Sequence, residues 1–199
     1  MTTIDYYNDH AKEYIEKTKD VDMKYAYSRF EANTFKGAKI LDLGCGCCRD
    51  TLYFNEKGYE VESLDASKEI IRIVKQKYGI NVKERMIQDI NEEDAYDGIW
   101  ACASLLHLSF NELKEVFPKL MNALHKQGIL YMSFRYGKNE YEDDGRHYTD
   151  MDIERSCELM SPYKNALLLE CWKSKDTLNR EIQWLNLIVR RVSDENQKK

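Results

Sequence analysis

The chain has 199 residues, enough for one domain and tight for two. It carries 30 Lys+Arg against 35 Asp+Glu, a net charge of −5, with 43% apolar and 33% charged residues, ordinary values for a globular protein. That balance argues against broad nucleic-acid binding, the absence of any run of 18 apolar residues argues against a membrane span, and MTTIDYYNDHAKEY lacks the cationic-then-apolar order of a secretory signal.

The N-terminal stretch reads as helical. Tyr7, Ala11, Tyr14 and Ile15 fall on one face of a helix over 5–19, and a second helix is expected over 23–33, ended near Gly37. From Lys39 onward strands and helices alternate. KILDL (39–43) is a buried strand, 49–57 a helix stopped by Gly58, and YEVESL (59–64) a strand. Ser67 caps a helix over 68–78 that Gly79 ends. Short strands follow at 82–87 and 97–102, then a helix over 112–125 capped by Asn111, then the strand GILYMSF (128–134). The remainder predicts a long polar loop over 136–148, a helix over 149–160 capped by Thr149, and two strands at 166–173 and 182–191. With no helix between them, those last strands pair antiparallel. The alternation predicts a mostly parallel sheet with helices on both faces. The charged runs at 92–97 and 193–199 read as solvated surface.

The informative stretch is LDLGCGCCRD (41–50). A strand delivers the chain into Gly44-Cys45-Gly46 and a helix follows. Glycines allow close backbone approach, and the free N–H groups of a helix start attract anionic groups. Asp65 ends the second strand, 21 residues after Gly44, where a carboxylate accepts hydrogen bonds from ribose hydroxyls. The dinucleotide pattern G-x-G-x-x-G fails, because its third glycine falls on Arg49, and no Walker sequence exists.

The ordered set ILDLGCG, SLDAS, IQDI (87–90), YDGIWACASLLHL (96–108) and LHKQGILYMSF (124–134) resembles a class I S-adenosylmethionine-dependent methyltransferase. The resemblance covers nearly the whole chain and leans toward small bacterial enzymes of the tellurite-resistance and thiol-methylating kind. It implies a Rossmann-like α/β fold, a seven-stranded mostly parallel sheet of order 3-2-1-4-5-7-6 with strand 7 antiparallel. It also implies one domain over 1–199, with residues 1–36 a helical lid and 37–199 the core.

The resemblance further implies that S-adenosylmethionine is the cofactor. Asp42, Gly44, Cys45 and Gly46 match the motif that cradles its methionine part. Asp65 matches the ribose acid, with Ala66 beside the adenine. Gln88, Asp89 and Ile90 match the adenine-reading segment, and Ala103 to His107 the segment beside the donor sulfur. Tyr7, Tyr14 and Arg29 match positions that close over the cofactor, and Arg49 one that meets its carboxylate. One departure stands out: the third glycine of D-x-G-x-G-x-G is Cys48, which implies a slightly displaced helix.

Acceptor-side candidates are His107, Arg135, Tyr136, Arg146, His147, Tyr148 and Trp184. His107, Arg135 and Arg146 are the candidate catalytic residues; Tyr136, Tyr148 and Trp184 are candidates for substrate contact. A basic pair beside aromatics suits a small anionic acceptor such as a thiolate or a chalcogen oxyanion. Each candidate has a structural alternative: a core histidine for His107, packing for Tyr7, Tyr14 and Trp184, surface ion pairs for the arginines. Cys45, Cys47 and Cys48 lack the paired units of a zinc site, so no metal is expected, and the helix start makes Cys47 or Cys48 a candidate reactive thiol. The expected protein is cytoplasmic, with reduced cysteines, a monomer or homodimer acting on a small molecule, with no membrane partner and nucleic acid disfavoured. Two rivals remain, a methyltransferase acting on tRNA or protein and a non-catalytic nucleotide-binding module.

Overall fold

A computed structural model describes residues 1–178 and 180–193, so most of the charged run at 193–199 lies outside the described residues. In chain order the elements are α1 (Thr3–Asp9), α2 (Ala11–Thr18), α3 (Lys24–Glu31), β1 (Lys39–Leu43), α4 (Arg49–Glu56), β2 (Glu60–Asp65), α5 (Lys68–Tyr78), β3 (Lys83–Glu84), β4 (Tyr96–Ala101), α6 (Phe110–Ala123), β5 (Leu124–Arg135), β6 (Glu140–Asp143), β7 (Arg146–Thr149), α7 (Ile153–Met160), β8 (Ala166–Lys175) and β9 (Gln183–Arg191). Single 3₁₀ turns at Ile87–Asp89 and Leu105–His107 follow β3 and β4.

Seven strands form one sheet in the order β3-β2-β1-β4-β5-β9-β8. With the separate hairpin β6–β7 set aside, this is the expected 3-2-1-4-5-7-6. Strands β3 to β5 run parallel, and β9 runs antiparallel to both neighbours. Alternation along the central strands divides the core between the two faces. Leu41, Leu43, Ile99, Leu130, Met132 and Leu187 face one cluster, which takes in α6. Ile40, Trp100, Ile129, Tyr131 and Ile188 face the other, with Phe30 of α3 and Phe54 of α4. A smaller cluster joins Ile15 of α2 and Val74 of α5 to the three cysteines of the loop after β1.

The differences from the sequence reading have local causes. The helix expected over 5–19 is two helices. His10 leaves the helical path (φ −111°, ψ 15°), and its Nδ1–H donates to the Tyr6 carbonyl at 2.9 Å, ending α1. Helix α6 starts two residues early because Ser109, not Asn111, caps it, in a reciprocal box with Glu112. Inside α6, Pro118 has no N–H for the Lys114 carbonyl, which accepts from the Tyr163 hydroxyl at 2.9 Å instead. Helix α7 is capped by Asp152; Thr149 belongs to β7. The strand expected at 82–87 shrinks to two residues before the 3₁₀ turn. The loop expected over 136–148 contains the hairpin β6–β7, turned at Asp144 and Gly145, both at positive φ.

Candidate active site

The loop after β1 is stitched to the end of β2. The Gly44 and Cys45 amides both donate to the Leu64 carbonyl, at 2.9 and 3.0 Å. The Gly46 amide donates to Asp65 Oδ2 at 2.9 Å, and the Ser67 amide to Asp65 Oδ1 at 2.8 Å. Burial pushes the Asp65 carboxyl up, against the pull of these backbone donors. A side chain at either glycine would force a neighbour to shift. A Cβ on Gly44 (φ +72°) would sit 2.6 Å from Ser104 Cβ, and one on Gly46 (φ +50°) 2.7 Å from Tyr14 Oη. Cys48, in the third-glycine position, holds φ 58° with no exposed surface, and α4 begins at the next residue.

Two cavities meet over this loop. The smaller, about 340 Å³, is lined by Gly46, Asp65, Ala66, Ile87 and Gln88 and by Ser104, whose buried hydroxyl has no partner. The larger, about 480 Å³, is lined by Cys45, Arg49, Arg135, Arg146, Tyr148 and Trp184 among others. Tyr7, Tyr14, Gly44, Ala103 and His107 line both and form the partition between them.

His107 sits at the centre of that partition. Its Nδ1 faces the His147 carbonyl at 2.8 Å and therefore carries the proton. Its Nε2, 2.8 Å from Tyr7 Oη, then accepts a hydrogen bond from the phenol O–H. Burial, with Arg146, Arg135 and His147 nearby, pushes the imidazole down to about 4. His107 is thus a neutral ring with both nitrogens engaged, which removes it as a free base near pH 7. Burial also holds the Tyr7 and Tyr14 phenols well above the ordinary range, so both remain protonated donors.

The large cavity is cationic at one end. Arg135 donates to the Tyr141 hydroxyl at 2.7 Å and lies 3.7 Å from the centre of the Tyr148 ring. Among the described residues no carboxylate reaches it within ion-pair distance; Asp150 acts from further off. Arg146 lies over the Tyr6 ring at 4.0 Å, with Asp144 only at 3.7 Å. The opposite side is compensated. Arg49 gives its Nε and one terminal nitrogen to Asp50, at 2.7 and 2.8 Å, and Asp50 also accepts from Trp100 at 2.9 Å and from Tyr27. Trp184 donates to Asp176 at 3.0 Å, the same carboxylate that pairs with Arg180.

Several sequence candidates stand elsewhere. Arg29 lines neither cavity and pairs with Glu170 at 2.6 Å, on the far end of α3. Asp42 lies beneath the loop, taking the Thr51 hydroxyl at 2.6 Å, its carboxyl pushed up to about 8 by burial and by Asp50. Asp89 is exposed and Ile90 is core, so Met86, Ile87 and Gln88 form that wall. Tyr136 is exposed beside β8, with Lys173 over its ring at 3.5 Å. His147 turns its ring to Glu142 and contributes its carbonyl instead. Cys47 and Cys48 are buried, and burial pushes the Cys47 thiol up, against the helix-start expectation. Among the described residues no group of three or more His, Cys, Asp or Glu is placed to hold a metal ion. No described helix is long and apolar enough to cross a membrane.

Asn8, Tyr6, Asp50 and Arg180 join the site without having been flagged by the sequence, whereas Ser104 lies in the flagged segment 103–107. Asn8 accepts from the Ser67 hydroxyl at 2.8 Å and ties α1 to the Asp65 turn. Tyr6 and Asp50 each sit beside a residue the motifs did flag. Arg180 comes from the turn between β8 and β9 and carried no local signal.

Residues 40–128 match the family described as "Methyltransferase domain". The chain is 32% identical over 107 residues to the "Putative methyltransferase YqeM" of Bacillus subtilis, covering 50% of this chain and 43% of that protein. Among solved structures it is similar to the Burkholderia thailandensis 1,6-didemethyltoxoflavin-N1-methyltransferase, which holds S-adenosylhomocysteine. The TM-score there is 0.78 at 19% identity, over 96% of this chain and 85% of that one. It is also similar to a TehB-like methyltransferase of Corynebacterium glutamicum, with a TM-score of 0.71 at 18% identity over 92% and 98%. At these identities the likeness is one of fold. The chain spans 43 to 63% of the length of the curated relatives it matches. The sequence motifs that carry the resemblance fall on the loop after β1, on Asp65 and on the 3₁₀ turn that ends at His107.

Proposed function

We propose that the chain is a single-domain enzyme of the cytoplasm that transfers the methyl group of S-adenosylmethionine to a small anionic acceptor such as a thiolate or chalcogen oxyanion. The observation that carries this reading is the pair of cavities sharing one wall, one above the Asp65 loop and one with an uncompensated arginine.

In this reading the small cavity holds the adenosine half. Asp65 accepts from the ribose hydroxyls with the lone pairs its two backbone donors leave free, and Ala66, Ile87 and Gln88 flank the base. Ser104, with its buried hydroxyl unpartnered, is a further polar contact. Gly44, Cys45 and Gly46 line the passage to the large cavity, and Arg49 stands on its wall. The cofactor supplies an activated methyl group on a sulfonium.

This chain's own residues then hold the acceptor in line and exclude water. Positioning of this kind lowers a barrier by roughly 7–11 kcal/mol in well-oriented cases. Arg135 and Arg146, stacked on Tyr148 and Tyr6, draw an anion to the partition. An acceptor already ionised needs no base, which agrees with the neutral, fully engaged His107. Tyr7 and Tyr14 on α1 and α2 close the partition from above, so residues 1–36 act as a lid. The acidic balance of the chain disfavours a tRNA acceptor.

The test is turnover. The protein is incubated with S-adenosylmethionine and a panel of thiols, selenite, tellurite, amines and carboxylates, reading S-adenosylhomocysteine. The reading expects at least one anionic acceptor to be methylated. Binding without turnover on the whole panel would favour a non-catalytic module.

A further inference from the structure

The loop after β1 contains a dithiol that methyl transfer does not use. Cys45 and Cys48 stand at C-x-x-C spacing, and their sulfurs approach to 3.5 Å. The Cys48 amide donates to the Cys45 carbonyl at 2.9 Å, closing a four-residue turn. Such a turn keeps its end Cα atoms within about 7 Å, which overlaps the span a disulfide bridges. Both thiols are free. Cys48 has no exposed surface, whereas Cys45 lines the large cavity and keeps 7% exposed. Cys47 lies between them, and its thiol engages Thr18 rather than either neighbour.

We propose that peroxide converts Cys45 and Cys48 into a reversible disulfide that turns off cofactor binding. The Cys45 sulfur attacks one oxygen of hydrogen peroxide; the O–O bond breaks, and the departing hydroxide leaves as water with the thiol proton. Cys45 is now a sulfenic acid. The Cys48 sulfur displaces its hydroxyl, the S–S bond forms as the S–O bond breaks, and a second water carries off the Cys48 proton. Two thiols lose two electrons and two protons, and one peroxide becomes two waters. Cys45 reacts first because the cavity reaches it and not Cys48. The contact with Cys48, and then burial, holds the Cys45 thiol above its ordinary range, so the reaction is slow near neutrality and speeds up as pH rises.

The consequence for the site follows from the turn. Drawing the sulfurs from 3.5 Å to bonding distance pulls the chain across Gly46. The Gly46 amide is an Asp65 donor, and the Tyr14 ring blocks outward movement at Gly46. The contraction therefore strains the Asp65 contact, and a bound cofactor, covering the same loop, shields Cys45. Only this consequence rests on the proposed cofactor site; the disulfide itself does not.

The test treats the full chain with hydrogen peroxide at about pH 7 and about pH 9, with and without S-adenosylmethionine, followed by N-ethylmaleimide. Trypsin releases one segment, 40–49, that holds Cys45, Cys47 and Cys48. The expected segment is lighter by two hydrogens and carries a single maleimide, forms faster at the higher pH, and forms more slowly with cofactor present. Affinity for S-adenosylmethionine is expected to fall at least about tenfold and to return with dithiothreitol. Cys47→Ser should still lose two hydrogens, and Cys48→Gly, suited to the left-handed φ, should lose none. A segment that gains only oxygen, or a link lost in Cys47→Ser, overturns the pairing. A link that forms while cofactor affinity holds overturns the switch. A reduced chain that never binds the cofactor defeats the proposed function, and the mass result still decides the disulfide.

Discussion

Replacing His107 by Gln should flatten the acid limb of the stability curve. In the folded chain burial holds His107 down to about 4, against an ordinary value of 6.5. Between those values the unfolded chain binds a proton that the folded chain refuses. Stability therefore rises with pH across this window and is lost as pH falls through it. The full effect, reached below both values, is about 3 kcal/mol at 1.36 kcal/mol per unit. Between pH 7 and pH 5 it amounts to about 2 kcal/mol. Gln does not titrate, so the variant is spared this loss. Other groups titrate over the same range in both chains, and the difference between the two pH slopes isolates His107. The assay is urea unfolding of each chain at about pH 7 and about pH 5. The wild type should lose about 2 kcal/mol more than the variant. Equal losses would refute the claim that His107 is a neutral ring, and with it the claim that Tyr7 donates to Nε2.

Three further outcomes are expected. Gly46→Ala should lower stability by roughly 2 kcal/mol, from the left-handed backbone plus the clash with Tyr14, and Tyr14→Phe in the same chain should recover part of it in thermal melts. Arg135→Gln should raise the acceptor KM about tenfold or more, the equivalent of one charge-assisted hydrogen bond, and leave the cofactor Kd unchanged in calorimetry. Asp42→Asn should keep cofactor binding within about twofold, since Asp42 lies beneath the loop. It should also resist unfolding above pH 8 better than wild type. A carboxyl raised from 3.8 to about 8 supports the fold fully below 3.8 and loses that support as pH rises from there to about 8, and Asn has no such loss.

Much of the fold was legible because its signals are local. Ser67 and Gly79 bracket α5 at the expected residues, and KILDL is β1 to the residue. The ordering of the sheet followed from the motif resemblance and agrees once β6 and β7 are set aside. The misread boundaries arose where two caps competed, as at Ser109 and Asn111, or where a side chain ended a helix with no glycine, as at His10. Within the site, the Gly44–Asp65 unit was legible because spacing alone brings it together. His107 was flagged for position, but its state was hidden, because the partners that fix it, Tyr7 and the His147 carbonyl, are 100 and 40 residues away. Arg29 and Tyr136 were misplaced because helix face and strand edge, not chain position, decide which cavity a side chain reaches. Arg180 was invisible for the same reason.

The most direct test of the account is a calorimetric titration with S-adenosylmethionine and S-adenosylhomocysteine, on the wild type and on Asp65→Ala. The account predicts micromolar binding of both ligands to the reduced wild type. It predicts a loss of about a hundredfold in the variant, from the ribose bonds and the two stranded backbone donors together. Absence of binding to the wild type, or an unchanged affinity in Asp65→Ala, would contradict it.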